Sequence, residues 1–173
     1  MQKKDSAKND ESPKVISVLL QIGDWKTLVP DERRRLLIAI ALNHCVNNND
    51  LNIVGYLITS SEVYLLLRNK SVDYKEIMVH FNEFLIIEIA RYLKTPDFNA
   101  QISEKRILFS SHELYNENLK KLITGRKAEI DFYTPQLLRL QNTIKYNIYC
   151  SAIDYSGGKS AVILSINNSE LKI

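Results

Sequence analysis

Between Leu51 and Arg68 the chain reads Leu-Asn-Ile-Val-Gly-Tyr-Leu-Ile-Thr-Ser-Ser-Glu-Val-Tyr-Leu-Leu-Leu-Arg, two apolar arms interrupted by Thr59, Ser60 and Ser61. Val, Ile and Tyr recur in both arms, and the polar triplet falls where a reversal is needed. This pattern predicts a half-buried antiparallel hairpin. Arms this apolar are expected at the centre of a sheet. Side chains alternate between the two faces of a strand, so Glu62 and Tyr64 should share one face and Leu65 and Leu67 should flank them toward the other.

The rest of the chain supplies partners for that hairpin. Val15–Ile22 is a β-rich run closed by Gly23-Asp24, and it predicts a first strand. Trp25 follows in a connection, where a lone indole serves as an anchor on the core. Pro30-Asp31-Glu32 marks a helix start, with proline in the first turn and acids at the positive end of the dipole. Leu36, Leu37, Ile40, Ala41 and Val46 are its expected buried stripe, and Asn47 to Asp50 its end. Beyond the hairpin, Asp73 with Glu76 three residues on forms a capping box for a long helix. Ile77, Phe81, Phe84, Leu85, Ile89 and Leu93 define its apolar face, and Thr95-Pro96 stops it. A strand is expected from Arg106 toward Tyr115, then a short helix from Asn116 to the terminating Gly125. Thr134-Pro135 opens a further helix carrying Leu137, Leu138, Leu140 and Ile144. Ala161–Ile166 is a candidate last strand. The order strand, helix, strand, strand, helix, strand predicts an α+β, ferredoxin-like antiparallel sheet with helices covering one face.

Residues 1–14 mix charges of both signs with almost nothing apolar, which predicts a flexible tail ahead of a single domain over 15–173. A hydrophobic content of 45% is enough for a core in a chain of 173 residues. The formal net charge of +3 permits a nucleic-acid partner without demanding one. Cys45 and Cys150 have no Cys-x-x-Cys spacing, so reduced thiols and a cytoplasmic setting are expected. The apolar run Leu36–Leu42 is far short of the roughly 18 residues that span a bilayer, so no membrane is expected among the partners.

Three landmarks, in order, resemble the REP-associated tyrosine transposases that act on single-stranded DNA with an HUH fold. Asp31-Glu-Arg-Arg-Arg-Leu-Leu-Ile-Ala-Ile-Ala-Leu-Asn-His-Cys45 resembles the first helix of that family. Tyr56-Leu-Ile-Thr-Ser-Ser-Glu-Val-Tyr-Leu-Leu-Leu67 resembles its Tyr-x-hydrophobic-Met-Pro-Asn-His-hydrophobic-His-hydrophobic-x-Leu hairpin. Tyr149-Cys-Ser-Ala-Ile-Asp-Tyr-Ser-Gly-Gly-Lys-Ser160 resembles its Tyr-Ser-Ser-Ala-x-Asp-Tyr-x-Gly-x-Lys-Gly stretch. The resemblance spans residues 15–166 and implies a transposase-like scaffold. It also implies what has changed. The family holds a divalent metal with two histidines two residues apart, and here Glu62 and Tyr64 stand at those positions. A carboxylate binds hard cations, whereas a neutral phenol is a poor ligand, so the expectation is no metal and no cofactor. The family's nucleophilic tyrosine precedes a proline by about five residues. Ile130 holds that offset before Pro135, with Phe132 and Tyr133 close by.

His44, His80 and His112 fall on separate expected elements and do not stand at ligand spacing. Ser156-Gly-Gly-Lys159 lacks the upstream glycine of a phosphate-binding loop. Arg33, Arg34 and Arg35 read as a solvated basic face. Tyr146, Tyr149 and Tyr155 read as core packing. Basic residues that can track a phosphate backbone are Lys105, Arg106, Lys120, Lys121, Arg126 and Lys127. The leading expectation is a catalytically inactive, domesticated transposase relative that binds single-stranded or hairpin nucleic acid. Two others stay open: a protein-interaction or assembly module on the same fold, and an active nickase with a rebuilt site around Glu62; a homodimer is a further partner that the resemblance implies.

Overall fold

The computed structural model describes residues 15–68, 74–95, 108–130 and 134–166. Strand β1 (Val15–Ile22) leads through a 3-10 turn (Asp24–Thr27) to helix α1 (Asp31–Asn48). The hairpin follows as β2 (Ile53–Ile58) and β3 (Glu62–Arg68). Then come α2 (Tyr74–Leu93), β4 (Phe109–Glu113), α3 (Glu117–Ile123), α4 (Pro135–Lys145) and the single turn α5 (Ala152–Tyr155). All strand pairs are antiparallel in the order β2-β3-β1-β4, the ferredoxin-like arrangement expected for this succession.

Local chemistry sets the boundaries. The N–H and Oγ of Thr59 both donate to the carbonyl of Glu62 (2.8 and 3.0 Å), and the Glu62 N–H donates to the same hydroxyl, which closes the reversal between β2 and β3. Asp50 takes a left-handed conformation (φ 56°) after the end of α1, a geometry that aspartate tolerates better than most residues. The Asn116 side chain accepts from the Leu119 N–H to cap α3, and Gly125 (φ 71°) ends that segment as expected. Thr134 and Pro135 start α4, although the threonine side chain makes no capping bond. Asp73, Pro96 and Arg106 lie outside the described residues.

The hairpin is in the sheet, but only half of it is central. β1 and β3 are the inner strands, and β2 lies at the β2 end of the order. Its outer edge is covered by the chain around Cys150. The Ile58 N–H donates to the Tyr149 carbonyl (2.9 Å), and the Ser151 N–H to the Tyr56 carbonyl (3.0 Å). An apolar edge strand is thereby paired rather than left open.

Helices cover both faces of the sheet, a departure from the one-sided arrangement expected. On one face Val18, Leu20, Ile53, Val63, Leu65 and Leu67 pack with Leu37, Ile38, Leu42, Phe81 and Leu85 of α1 and α2. On the other, Val54, Leu57, Tyr64 and Leu66 pack with Leu119, Leu122, Ile123 and Leu137 of α3 and α4. This two-sided burial explains why Val63 to Leu67 are buried without interruption.

Further differences concern single residues. The α1 stripe runs through Leu37, Ile38, Ala41, Leu42 and Cys45, while Leu36 and Val46 are half-buried and Ile40 is exposed. Residues 161–166 form no strand, although the Ser165 N–H donates to the Ile53 carbonyl (2.7 Å). Trp25 is fully buried, and its indole N–H donates to the Leu108 carbonyl (2.9 Å), the anchoring role expected of it.

Candidate active-site cleft

On the α3/α4 face the sheet and α4 leave a cleft of about 900 Å³. Its floor is Leu19, Glu62 and Tyr64, which neighbour one another through the pairing of Leu19 with Tyr64 and of Gln21 with Glu62. As expected from period-two alternation, Glu62 and Tyr64 share the cleft face, and Val63, Leu65 and Leu67 turn to the opposite core. Gln136, Arg139, Leu140 and Thr143 of α4 form one wall. Their spacing of three, one and three residues is a single helical stripe. The start of α1, with Asp31 and Arg35, and the Thr59–Ser61 reversal form the other.

The Tyr64 hydroxyl donates to Glu62 Oε2 at 2.6 Å. Burial, and then the neighbouring carboxylate, push the Tyr64 phenol well above its ordinary value, so it stays neutral and remains a donor. The phenol proton at the second ligand-like position is thus held by the carboxylate at the first. A metal site would need both residues to offer lone pairs outward, and a neutral phenol whose proton is held by the adjacent carboxylate does not do so. Among the described residues no three His, Cys, Asp or Glu side chains converge. His44 stacks on Phe84 (centroids 3.8 Å apart), His80 faces Glu83 (3.4 Å), and His112 is exposed on β4. The donor set around Glu62 and Tyr64 does not fit the divalent ion of the His-x-His pattern.

Charge in the cleft is unevenly committed. Asp31 receives Arg34 on Oδ1 and Arg35 on Oδ2, both at 2.8 Å. Arg35 also lies over the Tyr149 ring (5.4 Å). Arg139 is exposed and has no ion-pair partner among the described residues. Arg34 is not part of a solvated basic face. It is buried, with Nη1 donating to the Lys26 and Val29 carbonyls (2.7 and 2.8 Å) and Nη2 to Asp31 and the Ser60 carbonyl (2.8 Å each). One guanidinium therefore ties the cleft reversal to the chain that enters α1.

Several positions of the C-terminal landmark are structural. Ser151 Oγ accepts from the Tyr56 N–H (2.9 Å) and donates to the Ile123 carbonyl (2.7 Å), joining β2 to α3. Asp154 Oδ1 accepts from the Ser160 N–H, and the Tyr155 hydroxyl donates to the Val54 carbonyl (2.7 Å). A Cβ at Gly158 would stand 2.6 Å from Ile153 Cγ2. Tyr149 is buried and Tyr155 half-buried, but Tyr146 is 80% exposed, which core packing does not account for.

Of the basic candidates, Lys120 and Lys121 sit on α3, with Lys120 paired to Glu117 (2.6 Å), and Arg126 and Lys127 are exposed in the chain that follows. None of the four lines the cleft. Lys105, Arg106 and Tyr133 lie outside the described residues, although Thr134 and Pro135 beside Tyr133 do line the cleft. The sequence reading missed Arg139, Gln136 and Thr143. The signal was available as the polar complement of the Leu137, Leu140 and Ile144 stripe.

No family model matches the chain, and no curated protein does. A solved structure similar to it is described as "a putative transposase" from Deinococcus radiodurans R1. The two share 14% identity with a TM-score of 0.45, over 82% of this chain and 98% of the other. No helix among the described residues is long and apolar enough to cross a membrane.

Proposed function

We propose that this protein binds single-stranded or hairpin nucleic acid and does not cut it, as an inactive relative of the REP-associated tyrosine transposases. The observation that carries the reading is the 2.6 Å bond from Tyr64 to Glu62. It ties the phenol at one ligand position to the carboxylate at the other on the floor of an open cleft. Metal-assisted phosphodiester cleavage needs a Lewis acid at the scissile phosphate, and this pair supplies no ligand set for one. Binding has weaker requirements: cations along the strand and a surface that accepts it. Arg139 on the cleft wall, and Lys120, Lys121, Arg126 and Lys127 on and after α3, meet the first.

The test is a salt titration of affinity for a DNA or RNA hairpin and for a single strand. Affinity falls steeply with salt if phosphates are neutralised. Replacing Lys120 and Lys121 together by alanine weakens binding to all sequences alike, since phosphate contacts carry no sequence information. Absence of salt-sensitive binding at micromolar concentration would end this reading in favour of a second one. That reading, a protein-interaction module, is supported by Ile40, Val79, Ile87 and Tyr92, each more than a third exposed on the packed pair α1 and α2.

A further inference from the structure

Glu62 is the carboxylate of the cleft with acceptor capacity to spare. Both oxygens of Asp31, the other acid lining the cleft, hold arginines. Glu62 receives one side-chain bond, from Tyr64 to Oε2, and no other partner of its carboxylate is present among the described residues. The Tyr64 hydroxyl holds Oε2 in place and leaves Oε1 open, so Glu62 is an oriented acceptor at the base of a space of about 900 Å³. That volume lies within the range of about 300–1,000 Å³ typical of small-molecule sites.

An anion on the floor repels phosphate and attracts N–H donors. Arg139 on the wall does the reverse. A ligand that satisfies both carries a donor edge at one end and a negative charge at the other, and a nucleotide has that layout. A basic peptide would satisfy Glu62 but would meet Arg139 as a like charge. Among the bases, guanine presents N1–H and N2–H side by side, matching the two oxygens of a carboxylate. Cytosine and adenine offer only their exocyclic amino groups. Thymine and uracil place one N–H between two carbonyl oxygens, which a carboxylate repels. In a duplex the edge in question is occupied by the pairing partner, so it is readable only in an unpaired base.

We propose that this cleft reads an unpaired, amino-bearing base, guanine best of all, with Glu62 accepting from its donor edge and Arg139 holding an adjacent phosphate. The inference rests on the nucleic-acid reading above and narrows it to one site and one base chemistry.

The experiment is fluorescence anisotropy with a labelled all-thymine DNA dodecamer and the same strand carrying one central guanine. The guanine strand should bind about tenfold more tightly, the size of effect a good two-point base contact gives. Glu62→Gln keeps the shape but replaces one acceptor by a donor, and it should bring the two strands within about twofold of each other. Arg139→Gln should weaken both strands alike and leave the preference intact. Inosine at the central position, which lacks the amino group, should bind between the two. Equal affinity for the two strands, or a preference that survives Glu62→Gln, overturns the inference while leaving nucleic-acid binding in place. Failure to bind either strand, with hairpins also unbound, overturns both.

Discussion

Replacing Arg34 by methionine keeps much of the side chain's apolar stem and removes four hydrogen bonds at once. The cost can be apportioned from the surroundings of each acceptor. The Val29 carbonyl is buried and loses a charged donor, a loss of about 1–3 kcal/mol when no water replaces it. Lys26 and Ser60 are exposed residues, so their carbonyls recover water and each contributes about 1 kcal/mol or less. Asp31 is partly exposed and keeps Arg35, so its share is a few tenths of a kcal/mol to about 1. The expected destabilisation is about 1.5–6 kcal/mol. A chain of this size should then lose roughly 3–24 °C of Tm. Urea unfolding at 25 °C, followed by far-ultraviolet circular dichroism, measures it. Arg34→Lys should recover only part of the loss, because one ammonium cannot reach acceptors spread as widely as those of the guanidinium fork. A cost below about 1 kcal/mol for Arg34→Met would mean that the side chain is solvated, and the account of how the cleft reversal is held would be wrong.

Ser151→Ala should cost about 1–3 kcal/mol in the same assay, since it leaves the buried Tyr56 N–H and Ile123 carbonyl short of a partner; a neutral result would show that the edge of β2 is held without the hydroxyl. Gly158→Ala should destabilise through the contact with Ile153, and a wild-type unfolding midpoint would contradict the packing described. Burial raises the Cys45 and Cys150 thiols from 9.0 to about 11, so the folded state holds their protons more tightly than the unfolded chain. Their contribution to stability is complete below about pH 9 and is lost as pH rises toward about 11. The fall in urea midpoint between pH 8 and 10.5 (about those values) should be shallower in Cys45→Ala. An identical fall would remove that thiol from the explanation.

The parts of the fold legible in the sequence were those set by short-range pattern. The alternation in Glu62-Val-Tyr-Leu-Leu-Leu, the polar Thr59-Ser-Ser61 break, the Asn116 and Gly125 boundaries and the Pro135 start all act over a few residues, and each appears in the structure. What escaped depends on distant contacts. The uninterrupted burial of Val63–Leu67 hints at cover on both faces, but the helices that supply it, α3 and α4, come 50 residues and more later in the chain. Arg34 looks like one of three equivalent surface arginines until the carbonyls of Lys26, Val29 and Ser60 converge on it. That Glu62 and Tyr64 share one face of the strand was expected. Their mutual hydrogen bond and the Gln136, Arg139, Thr143 wall opposite depend on side-chain rotamers and on how α4 docks, which local pattern does not fix.

The central claim, binding without cutting, is tested most directly in one reaction. The wild-type protein is incubated with an end-labelled DNA hairpin and magnesium or manganese, and each sample is split between a native gel and a denaturing gel. The account predicts a salt-sensitive complex on the native gel and an intact strand on the denaturing gel, with no DNA joined covalently to protein. A nicked strand or a covalent adduct that disappears in Glu62→Ala would contradict it, because the hydrogen-bonded Glu62–Tyr64 pair would then be part of a working active site.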